Sequence, residues 1–228
     1  MQWTVFKLSR TGNEIVLHSF TGYRRDGANP EYSSLLIDST GNLYGVTPGG
    51  GSSNYGTVFK VSKTGKETIL YNFAGGTMDG CSPYGTPAMD KNGNLYGTTS
   101  ACGSSNLGIV WKVSQKGTET VLHNFTGAAI GGATDGGAPY AGVIIDRRGN
   151  LYGDTVFGGG FNDGTVYKLN TKGVVIVLHS FTRSDGTSPL GGVIRDAKGN
   201  LYGTTWLGGS SGAGCGGYGC GTVWELTP

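Results

Sequence analysis

The chain has 228 residues, of which 45 are glycine and 7 proline, and 36% of it is hydrophobic and 11% aromatic. That apolar fraction excludes a solvated, disordered coil, and glycines that do not fall at every third position exclude a collagen-like helix. Seventeen Lys and Arg against fifteen Asp and Glu leave a formal charge of +2 without a basic run, which excludes a phosphate-tracking, nucleic-acid-binding surface; no stretch approaches the ~18 apolar residues of a membrane-inserted span.

In chain order, the N-terminus enters directly into a strand-like segment, Thr-Val-Phe-Lys-Leu at 4–8, with no signal-peptide pattern ahead of it, as in a mature secreted chain. A second strand follows at 15–20, Ile-Val-Leu-His-Ser-Phe. Next come Asp-Gly-x-x-Pro with an apolar run ending in Asp (26–38), and Gly-Asn-Leu-Tyr-Gly (41–45). The same four segments then return at 57–61, 68–73, 79–90 and 93–97, and at 109–113, 120–125, 135–146 and 149–153. A further round occupies 165–169, 176–181, 185–196 and 199–203, and a last Thr-Val-Trp-Glu-Leu stands at 222–226. Each segment alternates apolar with small or polar residues, as half-buried strands do. Turn signals such as Lys-Thr-Gly-Lys (63–66) and Lys-Asn-Gly-Asn (91–94) separate them. No segment sustains a helical period.

A repeat of about 50 residues holding four short antiparallel strands predicts an all-β fold, a β-propeller with one blade per repeat. The Asp-Gly-x-x-Pro segment is strand A, Asn-Leu-Tyr-Gly is B, Thr-Val-Phe-Lys-Leu is C and Leu-His-Ser-Phe is D. The small, apolar A strands suit the crowded axis, and the more polar D strands suit the rim. The chain holds four A, four B, five C and four D segments. The preferred reading is a single domain over 1–228 with four blades, in which the N-terminal hairpin 4–20 completes the last blade and closes the ring. Five blades, two of them incomplete, is the competing geometry. The surplus C strand offers an edge for pairing with another molecule, so the expected state is a monomer or a strand-mediated homo-oligomer.

Cys81 and Cys102 lie in separate glycine-rich loops, and Cys215 and Cys220 share another. None has a zinc-site spacing. Disulfides Cys81–Cys102 and Cys215–Cys220 are the preferred reading and imply an oxidising compartment; four free thiols are the alternative.

The quoted blocks resemble the Gloeo-Verruco (GloVer) repeat family, most closely at Gly199-Asn200-Leu201-Tyr202-Gly203-Thr204-Thr205 and Gly221-Thr222-Val223-Trp224-Glu225-Leu226. The resemblance runs over nearly the whole chain. It implies an exported bacterial protein, secreted or at the cell surface, and transfers no catalytic role.

Antiparallel order places the D–A and B–C connections on one face. That face carries Asp26, Asp79, Asp135 and Asp185, with Glu31, Asp154 and Asp163, against Arg24, Arg25 and Arg183, for a formal charge near −4. Two readings of the four repeated aspartates are open. They can ring the channel mouth and hold Ca2+ or sugar hydroxyls, or each can cap its own turn beside a glycine. Asp38, Asp90, Asp146 and Asp196, on the opposite face, are expected to bond turn amides. The B–C loops present Tyr55, Phe157, Phe161, Trp206 and Tyr218 as stacking platforms or as small local cores. His18, His123 and His179 share one repeat position, which suits packing better than catalysis. The expected function is an extracellular, non-catalytic binding propeller that recognises a glycan or surface protein through this acidic, aromatic face. The alternatives are a polysaccharide-active hydrolase or lyase using Asp154 and Asp163, and a structural subunit that assembles through its surplus strand.

Overall fold

The computed structural model describes residues 3–22, 26–127, 135–210, 215 and 217–227; Arg24 and Arg25 lie outside them. The described residues form strands and no helix. β1 (Trp3–Leu8) and β2 (Glu14–Phe20) form a hairpin. β3 (Gly27–Ala28), β4 (Leu36–Ile37), β5 (Leu43–Thr47), β6 (Gly49–Gly50), β7 (Thr57–Val61) and β8 (Glu67–Asn72) form the next unit, with β4-β5-β7-β8 as its sheet. β9 (Gly80–Met89), β10 (Leu95–Cys102), β11 (Ile109–Val113) and β12 (Glu119–Asn124) form a second four-stranded antiparallel sheet. β13 (Ile144–Ile145), β14 (Leu151–Thr155), β15 (Thr165–Leu169) and β16 (Val175–Ser180) form a third. β17 (Thr187–Pro189) and β18 (Ile194–Arg195) pair along one edge of β19 (Leu201–Leu207), and β20 (Val223–Leu226) along the other.

The motif residues explain these sheets. In each repeat the glycine of Leu-Tyr-Gly lies opposite the strand-C aromatic: Gly45 with Phe59, Gly97 with Trp111, Gly153 with Tyr167 and Gly203 with Trp224. A Cβ at any of these glycines would run into that ring. The missing side chain lets the aromatic lie flat over its own sheet and face the preceding one. There it meets the phenylalanine that ends the previous strand D, edge to face, with centroid separations of 5.2 Å for Phe20–Phe59, 5.8 Å for Phe73–Trp111, 5.2 Å for Phe125–Tyr167 and 5.8 Å for Phe181–Trp224. Such pairs add roughly 0.5–1.5 kcal/mol each beyond their burial. The valine before each aromatic (Val58, Val110, Val166) is fully buried against the following sheet. The core is therefore a series of clusters between successive units.

The A–B turns are built as expected. Asp38 accepts the amides of Thr40 and Asn42 on one carboxylate oxygen, and the Asn42 side chain and Tyr44 hydroxyl on the other. Asp90, Asp146 and Asp196 repeat the arrangement with Asn94 and Tyr96, Asn150 and Tyr152, Asn200 and Tyr202. Burial works against Asp90 and Asp146, but these bonds hold both carboxyls below the usual range.

The ring closure differs from the expectation. β1 and β2 pair only with each other among the described residues, and β20 pairs with β19 in the B–C order of the other repeats. The reason is local: Thr205 and Thr222 join side chains at 2.9 Å, the same register lock as Thr47–Thr57 at 2.8 Å and Thr155–Thr165 at 2.7 Å. The C strands β7, β15 and β20 are thus tied to the B strands of their own repeats. Among the described residues the strands form four four-stranded sheets and two two-stranded ones, and no sheet closes on itself.

Candidate functional site

The four repeated aspartates sit where strand D turns into strand A. Asp26 accepts the Thr21 amide (2.7 Å), the Thr21 hydroxyl (2.9 Å) and the Gly27 amide (2.7 Å), with His18 Nε2 at 3.2 Å. Asp79 takes the Ala74 and Gly80 amides and the Tyr71 hydroxyl; Asp135 takes Thr126 and His123; Asp185 takes Thr182 and His179. Burial opposes ionisation at Asp26 and Asp135, yet hydrogen bonds led by Thr21 in one and His123 in the other hold both carboxyls below the usual range. The histidines serve these corners and pack edge-on against Phe20, Phe125 and Phe181. Of the two readings, the geometry is that of turn caps: none of the four aspartates lines the cavity between the inner strands.

That cavity, of about 520 Å³, lies among the A strands of four successive units. Its wall includes Leu36, Pro87, Met89, Val143 and Val193 and carries no charged residue. Small residues let the strands converge. Gly85, at φ +75°, and Gly142 are packed so closely that a Cβ on either would enter the other strand's backbone. At the cavity rim stand Tyr32, 78% exposed, and Tyr140. Tyr84 bridges them, stacked on Tyr140 at 5.2 Å and 30°, and edge-on to Tyr32 at 6.2 Å. Burial, then the neighbouring Tyr140 and Glu31, push the Tyr84 hydroxyl up. Sequence reasoning passed over these rings; their signal was the repeated Pro-Tyr pair, Pro83-Tyr84 and Pro139-Tyr140.

The loop aromatics Tyr55, Phe157, Phe161, Trp206 and Tyr218 are all exposed to solvent. Arg183 lies over the Tyr218 ring at 5.5 Å. The Tyr55 carbonyl accepts the Ser82 amide, two residues before Tyr84, which sets this loop beside the tyrosine cluster. Glu31 is exposed near the same cluster. The two acids singled out for glycoside cleavage have different surroundings. Asp163 accepts the Thr187 hydroxyl at 2.9 Å. Asp154 is 1% exposed inside the sheet stack, with only the backbone of Gly192 and its own amide to set against that burial. Burial pushes its carboxyl up to about 7. A carboxyl enclosed in this way cannot touch a polysaccharide.

Two carboxylates at the rim also have unusual surroundings. Glu67 approaches His18 and Asp26, and burial together with the Asp26 charge pushes its carboxyl up to about 8. Glu119, one repeat later beside Asp79, is pushed up to about 7 by the same causes. Both expected disulfides are present, Cys81–Cys102 and Cys215–Cys220, and no described cysteine is free.

Comparison with known proteins bears on the repeat and the fold. The model of the Gloeobacter/Verrucomicrobia repeat matches residues 2–134 and 129–228. No curated protein matches the chain in sequence. Among solved structures, a streptogramin B lyase superposes with a TM-score of 0.55 at 15% identity, over 98% of this chain and 61% of that one. A gluconolactonase from Xanthomonas campestris superposes with a TM-score of 0.51 at 14% identity, over 98% of this chain and 64% of that one. The chain thus spans less than two thirds of either structure, and at such identities the likeness is one of fold alone: that of a β-propeller.

Proposed function

Since this chain belongs to the Gloeobacter/Verrucomicrobia repeat family, we propose that it is a non-catalytic, extracytoplasmic binding propeller that takes a glycan at the tyrosine-rimmed mouth of its inner cavity. The observation that carries this reading is the Tyr32–Tyr84–Tyr140 cluster standing over an uncharged cavity of about 520 Å³. Ligand sites are typically concave, largely apolar and of this size, with a few polar groups that orient the ligand. Tyrosine combines a flat apolar face, on which the C–H face of a pyranose stacks, with a hydroxyl that bonds sugar oxygens. Tyr55, Trp206 and Tyr218 extend the platform to a longer chain, and Phe157 adds a further exposed ring. Binding is favoured over hydrolysis because the cavity wall carries no carboxylate, imidazole or thiol. The two disulfides support an oxidising compartment.

An array of plant and bacterial polysaccharides tests the reading. The wild type should retain a subset of glycans, and a Tyr84→Ala/Tyr140→Ala variant should lose them by ten-fold or more, on the order of 1.4 kcal/mol. Equal retention by both proteins would remove the cluster from the site. Capture of no glycan at all would leave a protein partner as the better reading.

A further inference from the structure

The corner where β2 meets the first four-stranded sheet carries more than a turn cap. His18 Nε2 lies 3.2 Å from Asp26 Oδ1 and 3.6 Å from Glu67 Oε1, and all three donor atoms fall within 4.8 Å of one another. Donors about 2.1 Å from a tetrahedral zinc ion stand roughly 3.4 Å apart, so these spacings are those of ligands around one ion. The three side chains are only 18%, 10% and 12% exposed. Glu67 Oε1 is buried with no donor facing it, next to the Asp26 carboxylate, and a cation between the two would offset their repulsion. Asp26 is already oriented by the Thr21 and Gly27 amides, the kind of outer support that fixes metal ligands.

We infer that His18, Asp26 and Glu67 form a binding site for a divalent transition-metal ion, best suited to zinc, across the seam between the N-terminal hairpin and its neighbouring sheet. One imidazole nitrogen with two carboxylate oxygens suits a first-row metal, whereas calcium takes oxygen ligands alone. Two carboxylates also balance the charge of a dication. The other repeats act as internal controls. At the second corner Tyr71 replaces the histidine and donates its hydroxyl to Asp79 at 2.9 Å, while Glu119 keeps the third position. At the third, His123 and Asp135 remain but Val175 stands where Glu67 does. Among the described residues no other His, Cys, Asp and Glu cluster brings three donors together.

Isothermal titration of the whole chain with ZnCl2 tests the site. The wild type should bind one equivalent. Glu67→Gln and His18→Tyr should each weaken that binding at least about ten-fold, the lower end of what removing even an outer-shell partner costs. His18→Tyr reproduces the Tyr71 corner, so its fold should be retained, as circular dichroism will report. Tyr71→His, which supplies the missing imidazole beside Asp79 and Glu119, should add a second equivalent. No stoichiometric binding by the wild type, binding unchanged in His18→Tyr, or a single equivalent in Tyr71→His would each overturn the assignment.

Discussion

Asp154 occupies the strand position at which Thr98, one repeat earlier, donates its hydroxyl to the Ala141 carbonyl at 2.7 Å. At that position burial outweighs the Gly192 amide, and Asp154 holds its proton to about pH 7 instead of releasing it near the ordinary 3.8. Between those values the folded chain carries a proton that the unfolded chain has lost, so stability falls as pH rises through the window. Asp154→Thr, the residue's own repeat counterpart, should therefore raise the melting temperature by at least about 3 °C at pH 8, and by almost nothing at pH 4. Thermal unfolding across that range is the check, and an equal gain at both ends would contradict it. Gly97→Ala runs the other way: its methyl meets the buried Trp111 ring, an overpacking expected to cost about 1–3 kcal/mol in urea unfolding. At this scale legibility was uneven. The Asp38-type turns were readable, because donor and acceptor lie within six residues. The roles of Asp26 and its counterparts were not, because their distance from the axis depends on how whole sheets are arranged.

Strand identity was legible in the repeats, since alternation, turn residues and the B–C pairing are all encoded within about 20 residues. Counting segments did not fix the place of the fifth C segment, which pairs with the last strand B. The Thr205–Thr222 contact fixes that register locally. Between strands, the Cys81–Cys102 bridge ties β9 to β10 across 21 residues, while Cys215–Cys220 closes only 5. By chain entropy the longer loop is worth about 3 kcal/mol and the shorter one less. Replacing Cys81 and Cys102 together by alanine should lower the urea midpoint more than replacing Cys215 and Cys220, and the reverse order would contradict this.

Across the whole molecule, the strand-C valine is buried only where a unit follows it, and the strand-C aromatic only where a unit precedes it. Val58, Val110 and Val166 are fully buried, while Val223 at the same position is 84% exposed; Phe59 is 1% exposed and its counterpart Phe6 is 52%. Val110→Ala should therefore cost about 2 kcal/mol, and Val223→Ala should stay within about 0.5 kcal/mol, both read by urea unfolding; equal losses would contradict the stacked arrangement. The tyrosine cluster also belongs to this scale. Tyr84 and Tyr140 meet only because inner strands of successive units converge at Gly85 and Gly142, which no single repeat discloses. The most direct measurement of the central claim is protein-observed NMR during titration with soluble cello-, xylo- and chito-oligosaccharides. Saturable shifts should centre on Tyr32, Tyr84, Tyr140 and the cavity wall for at least one of the three. Shifts confined to residues away from that mouth, or none with any oligosaccharide, would contradict it.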